Sequence, residues 1–112
     1  MRTSAFIKIF GENPFVKVMD FLIENYIFDY SKTEVAKEVG ISRMTIEPLW
    51  QTLIKQKIII KTKKIANATL YRLNIKNPIV IKLRELDLVL ANKVYTSEEI
   101  PISIESFIVG FS

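Results

Sequence analysis

The side chains of this 112-residue chain that could do chemistry are hydrogen-bonding and cationic, because the usual catalytic types are missing. There is no histidine and no cysteine. That removes the commonest general base, the thiol nucleophile and the commonest metal ligands. The Asp and Glu residues are scattered and form no catalytic constellation. An enzyme is therefore not expected, nor a metal or any other cofactor. What remains is non-covalent recognition, and its richest stretch runs from Ser42 to Gln51. There Arg43 offers a planar fork of donors, Gln51 a donor beside an acceptor, and Glu47 acceptors alone. Ser42 and Thr45 add hydroxyls, and Met44 and Pro48 add apolar surface.

Charge is unevenly placed around that stretch. The net charge is a modest +4, but from Lys32 to Lys76 ten Lys and Arg face three Glu, a local +7. The flanks together carry −3. A basic middle between mildly acidic ends suits a polyanion. With 49% apolar residues the chain can also build a core. The N-terminal apolar run is too short for a leader, and charges break every apolar stretch before ~18 residues. A soluble cytoplasmic protein with no membrane association is expected.

The elements that must position these residues follow from periodicity and caps. Residues 5–10 fit either a short helix or a strand, stopped by Gly11. Asn13-Pro14 opens a helix whose inward face is Phe15, Val18, Met19, Leu22, Ile23, Tyr26 and Ile27, widened by Val16, Phe21 and Phe28, and which ends at Asp29-Tyr30. Ser31-Lys32-Thr33-Glu34 is a capping box for a second helix over 33–39, stopped by Gly40. Ser42 caps a third, 43–57, burying Ile46, Leu49, Trp50, Leu53 and Ile54. Pro48 inside it predicts a kink or an irregular first turn. The β-branched, lysine-rich run 58–64 and the run 69–74 form a hairpin around Ile65-Ala66-Asn67-Ala68. Asn77-Pro78 opens a last helix to about Val94. Its seam of Ile79, Leu83, Leu86, Leu90 and Val94 has near coiled-coil spacing, with Val80, Leu88 and Val89 off it. The tail 95–112, with alternating Ile100, Ile102 and Ile104, fits an extra strand or a segment packed on a partner.

Helix, helix, tight turn, helix, strand, wing, strand is the winged helix-turn-helix order. The fold expected is mainly α with a small β-hairpin wing, of α+β class, with an extra C-terminal helix. Ala36 allows close helix approach, Gly40 permits the turn, and Ile41, Ile46 and Leu49 plug the gap. Residues 1–76 make the winged domain, 77–94 a dimerisation element and 95–112 a tail.

The run from Phe10 to Asn74 resembles the archaeal winged helix transcription regulators loosely grouped with the MarR and ArsR families. The resemblance rests on Gly11-Glu12-Asn13-Pro14, Phe21-Leu22-Ile23, Asp29-Tyr30-Ser31-Lys32, Gly40-Ile41-Ser42-Arg43 and Leu70-Tyr71-Arg72-Leu73-Asn74. It implies a homodimer, from a cellular genome, plasmid or virus, acting on its own or neighbouring promoters. Two features depart from the pattern. Ala66-Asn67-Ala68 replaces the usual wing glycine, where Asn67 can still take the left-handed conformation, and the tail from Tyr95 has no counterpart.

In this motif the helix 43–57 enters the major groove of double-stranded DNA. Ser42, Arg43, Met44, Thr45, Glu47, Pro48 and Gln51 are the candidates to touch bases: Arg43 on guanine, Gln51 on adenine, Glu47 on cytosine, Met44 or Pro48 on a thymine methyl. Glu47 needs a base partner there, since it repels phosphate. Lys32, Lys37, Lys61, Lys63, Lys64, Asn67 and Arg72 are candidates for the phosphate backbone, with the wing around 61–69. Trp50 and Tyr71 read as core. The dimer interface is expected at Ile79, Leu83, Leu86, Leu90 and Val94. No small-molecule ligand is expected. The alternative reading is a winged helix that binds another protein through the same surfaces.

Overall fold

Serine and asparagine begin the helices of this chain. The computed structural model describes residues 4–91, and it contains five helices and one hairpin among them. α1 spans Ala5–Phe10, α2 Pro14–Glu24, α3 Lys32–Val39, α4 Arg43–Lys55 and α5 Pro78–Ala91; β1 spans Ile59–Ile65 and β2 Ala68–Leu73. Ser4, Asn13, Ser31 and Ser42 each accept a first-turn N–H through the side chain. Asn77 accepts from Ile79 N at 2.7 Å. Each cap satisfies a donor that the helix itself cannot.

The short run 5–10 is a helix. Ser4 fixes it, accepting from Ile7 N at 3.1 Å while donating to Asp20 Oδ1 at 2.8 Å. The next helix is shorter than its periodicity predicts. It stops at Glu24, not Phe28, because Asn25 turns its side-chain amide onto the Phe21 carbonyl at 2.8 Å. Tyr26 is consequently half-buried and Ile27 and Phe28 are exposed in a turn. The buried face also rotates, to Val16, Val18, Met19, Leu22 and Ile23, which leaves Phe15 outside.

The helix-turn-helix forms as its spacing predicts. The Ser31–Glu34 capping box is complete, with Ser31 N donating to Glu34 Oε1 at 2.8 Å and Glu34 N donating to Ser31 Oγ at 3.1 Å. Gly40 takes the left-handed conformation at φ 75, and Gly40 N and Ile41 N both donate to the Ala36 carbonyl. α4 runs through Pro48 as one helix, and its first turn is regular, with Ile46 N donating to Ser42 O at 3.0 Å. It ends at Lys55, two residues before the predicted end, because Lys57 turns to φ 59.

β1 and β2 pair antiparallel from Ile59–Leu73 to Ile65–Ala68, with a bulge at Thr62 between Lys61 and Lys63. Tyr30 bridges Tyr71 through two backbone bonds of 2.8 Å, tying the segment before α3 to the wing. At the hairpin tip Ala66, not Asn67, carries the positive φ of 55. Positive φ at the first loop residue alone is the type II′ pattern, which favours glycine there.

One core joins all these elements. Its fully buried centre holds Val18, Met19, Val35, Ile46, Trp50, Leu53, Ile59, Leu73 and Val80. α5 packs on α1 and α2, and Asn77 Nδ2 anchors its start to the Gln56 and Lys57 carbonyls at 3.2 and 3.1 Å. Val80, predicted off the seam, is in the core. Val94 and the tail 95–112 lie outside the described residues.

Candidate nucleic-acid interface

The outer edge of α4 is built by what its inner edge buries. Ile46, Trp50 and Leu53 face the core, so the helical period turns Arg43, Met44, Pro48 and Gln51 outward. These four, with Ser42 and Thr45, are exposed, and Met44 is exposed to 86%. Glu47 is half-buried. Ser42 and Thr45 hydroxyls lie 2.9 Å apart at the helix start. Pro48 lacks an N–H, so the Met44 carbonyl has no helical donor. Thr52 Oγ1 donates to the Pro48 carbonyl at 3.1 Å.

Two grooves flank this edge. A small one of about 200 Å³ lies between α3 and α4, with Ala36, Ile41 and Ile46 among its lining and Lys32, Lys37 and Arg43 as its cations. A larger cleft of about 590 Å³ lies between α4 and the hairpin, lined by Lys32, Gln51, Asn67, Thr69 and Tyr71 among others. Lys32 borders both grooves. It is not free there: its ammonium donates to Glu47 Oε1, and Gln51 Nε2 donates to Glu47 Oε2 at 3.2 Å. These two hydrogen bonds, the Lys32 one first, hold the Glu47 carboxyl below the usual carboxylate range.

On the wing, Lys61, Lys63, Lys64 and Asn67 are exposed. Arg72 is exposed too, but its Nε donates to Asp29 Oδ1 at 2.7 Å, and Lys63 Nζ lies 3.7 Å from Asp29 Oδ2. Asp29 was not legible as a site residue. Its only signal is that it is the one acid between Glu24 and Glu34, beside the Tyr30 bridge that carries it to the wing. Trp50 and Tyr71 pack edge to face at 5.6 Å, and Trp50 is buried to 2% exposure. Its Nε1 has no acceptor among the described residues.

The C-terminal seam is divided. Leu86 and Leu90 are buried within the chain, Leu83 is half-buried and Ile79 is exposed. Among the described residues, the large apolar side chains that α5 leaves exposed are Ile79, Ile81 and Leu88. Among the described residues no helix is long and apolar enough to cross a membrane.

No protein-family model matches the chain, and no curated protein sequence matches it. Solved structures do. The AntR antimony-specific transcriptional repressor superposes with a TM-score of 0.51 at 23% identity, over 66% of this chain and 62% of that one. The chain thus matches under two thirds of AntR's length. The adhesin competence repressor AdcR from Streptococcus pyogenes superposes with a TM-score of 0.50 at 19% identity, over 85% of this chain and 77% of that one. Likeness at these identities concerns architecture: the chain is a winged helix-turn-helix of α+β class, with an additional helix after the wing.

Proposed function

We propose that this chain binds double-stranded DNA with sequence preference and regulates transcription, acting as a homodimer. The observation that carries the reading is the exposed edge of α4, set between two grooves whose charged lining residues, Lys32, Lys37 and Arg43, are all cations. Arg43, Met44, Thr45, Pro48 and Gln51 stand where base edges are read in this architecture, with Ser42 at the tip. Lys37, Lys61 and Lys64 supply phosphate contacts, joined by Lys63 and Arg72 through the charge that Asp29 leaves them. Both structural neighbours are named as repressors, which supports a regulatory role. The antimony specificity in one name is said of that protein alone, and this sequence has no cysteine thiolate with which to hold a soft ion. In the dimer, residues 77–94 join two copies and set two α4 helices about one DNA turn apart, roughly 34 Å.

The test is a duplex titration across a salt series, using random DNA and the DNA upstream of the gene. Wild type is expected to prefer one sequence. Arg43→Ala should reduce that preference, by roughly 1–3 kcal/mol at one base pair. The Lys63→Ala/Lys64→Ala pair should weaken all duplexes alike and flatten the log–log salt slope by up to about 0.9 for each phosphate no longer neutralised. No duplex binding at low salt would overturn the reading and favour a protein partner for the same surface.

A further inference from the structure

Glu47 stands in the middle of a surface that otherwise suits a polyanion. A carboxylate there repels phosphate, and its expected role was to accept from a base. Its oxygens are already engaged inside the chain. Oε1 accepts from Lys32, the first residue of α3, and Oε2 accepts from Gln51, one turn further along α4. A carboxylate only accepts hydrogen bonds. It therefore decides which way the Gln51 amide lies: the NH2 end turns to Glu47 and the Oε1 acceptor turns away. When Glu47 takes the N–H that points away from Oε1, the other N–H remains beside Oε1, and the two make an acceptor–donor pair at the cleft that Gln51 lines. That pair complements adenine, whose N6 amine donates and whose N7 accepts. An untethered glutamine can flip and offer its NH2 group to guanine or thymine oxygens instead. The same carboxylate matches the charge of Lys32 at the junction of the two grooves.

We propose that Glu47 is a positioning residue, which fixes the Gln51 amide for a base edge bearing an amine and holds Lys32 back from the phosphate backbone. The inference rests on the DNA-binding reading and adds a division of labour to it. Gln51 reads, Glu47 aims it, and the Lys32–Glu47 pair keeps non-specific binding weak.

The experiment selects duplexes from a random pool with the wild-type protein, then varies each base pair of the selected site. Gln51→Ala identifies the base pair that faces Gln51. Glu47→Ala should lower discrimination at that pair roughly tenfold and leave the other positions as they were. It should also bind random duplex roughly tenfold more tightly near 0.1 M salt, with a slope steeper by about 0.9. Glu47→Gln, which keeps an acceptor without the charge, should restore part of the discrimination but not the wild-type slope. Lys32→Gln should flatten the slope in the Glu47→Ala background and scarcely change it in wild type. Wild-type discrimination and slope in Glu47→Ala would overturn the inference while the DNA-binding reading stands. Equal loss at every base pair would overturn it too, marking a merely structural role. A wild-type protein that enriches no sequence would remove both.

Discussion

Among the described residues, Ala66 and Lys57 are the two non-glycine residues at positive φ, and their surroundings differ. Lys57 sits under two asparagines: its carbonyl accepts from Asn74 Nδ2 at 2.9 Å and from Asn77 Nδ2 at 3.1 Å. Those bonds need the chain to turn there, and they offset the strain. Ala66 is exposed at the hairpin tip, where its left-handed backbone has no such clasp. For an L-residue with a Cβ that conformation costs about 1–2 kcal/mol. Ala66→Gly should therefore raise stability by about 1 kcal/mol, which a thermal melt would show as a rise of roughly 4 °C or more in a domain of this size. An unchanged melting temperature would mean that the tip relaxes without strain. Residue types explain only part of this local picture. The absence of a wing glycine was visible in the sequence, but the choice between Ala66 and Asn67 was not. The register of Ile65 with Ala68 puts Ala66 at the first loop position, and that register depends on the bulge at Thr62.

Between elements, the packing of α5 on α2 brings carboxylates together. Burial raises the Asp87 carboxyl above the ordinary aspartate value, and the charges of Asp20 and Glu24 push it further. A carboxyl whose pKa is raised by folding binds its proton more tightly in the folded chain. Its stabilising contribution is then complete below the unfolded value, near 3.8, and is lost as pH rises through the folded value. Asp87→Asn should be more stable than wild type at pH 7, by less than about 1 kcal/mol for a half-buried group. The difference should vanish toward pH 3. Denaturant melts at both pH values measure it, and an equal gain at both would assign the effect to packing. The elements themselves were largely legible. Ser31 with Glu34, Gly40 and Ser42 placed the helix-turn-helix, because caps and left-handed turns are local chemistry. The end of α2 was not legible, because Tyr26, Ile27 and Phe28 continue the helical spacing while Asn25 stops it through one side-chain bond. The partners of the site residues were hidden for a related reason. The ties from Lys32 to Glu47 and from Arg72 to Asp29 join residues distant in sequence, and no local pattern announces them.

At the scale of the whole molecule, what the core consumes decides what a second copy could use. The periodic seam from Ile79 to Leu90 looked like surplus apolar surface. α5 packs against α1 and α2, Leu86 and Leu90 are buried inside one chain, and Val80 joins the core. A different stripe stays open. Ile81 and Leu88 are seven residues apart and so lie on one face of α5, and both are exposed. Ile9 and Phe10 are exposed on α1, which packs against α5. If two copies join through α5, this stripe is the surface that gains most from it, at about 25 cal/mol per Å² of apolar area removed from water. Leu88→Glu puts a charge on that stripe and leaves the core untouched. It should shift the protein from dimer to monomer in sedimentation at micromolar concentration, with its thermal melt at low concentration unchanged. It should also weaken binding to a two-half-site duplex far more than to a single half-site, because each copy alone keeps its α4 edge. A wild-type protein that sediments as a monomer at those concentrations would remove the dimer. It would leave one α4 edge per chain to account for all the sequence preference that is measured.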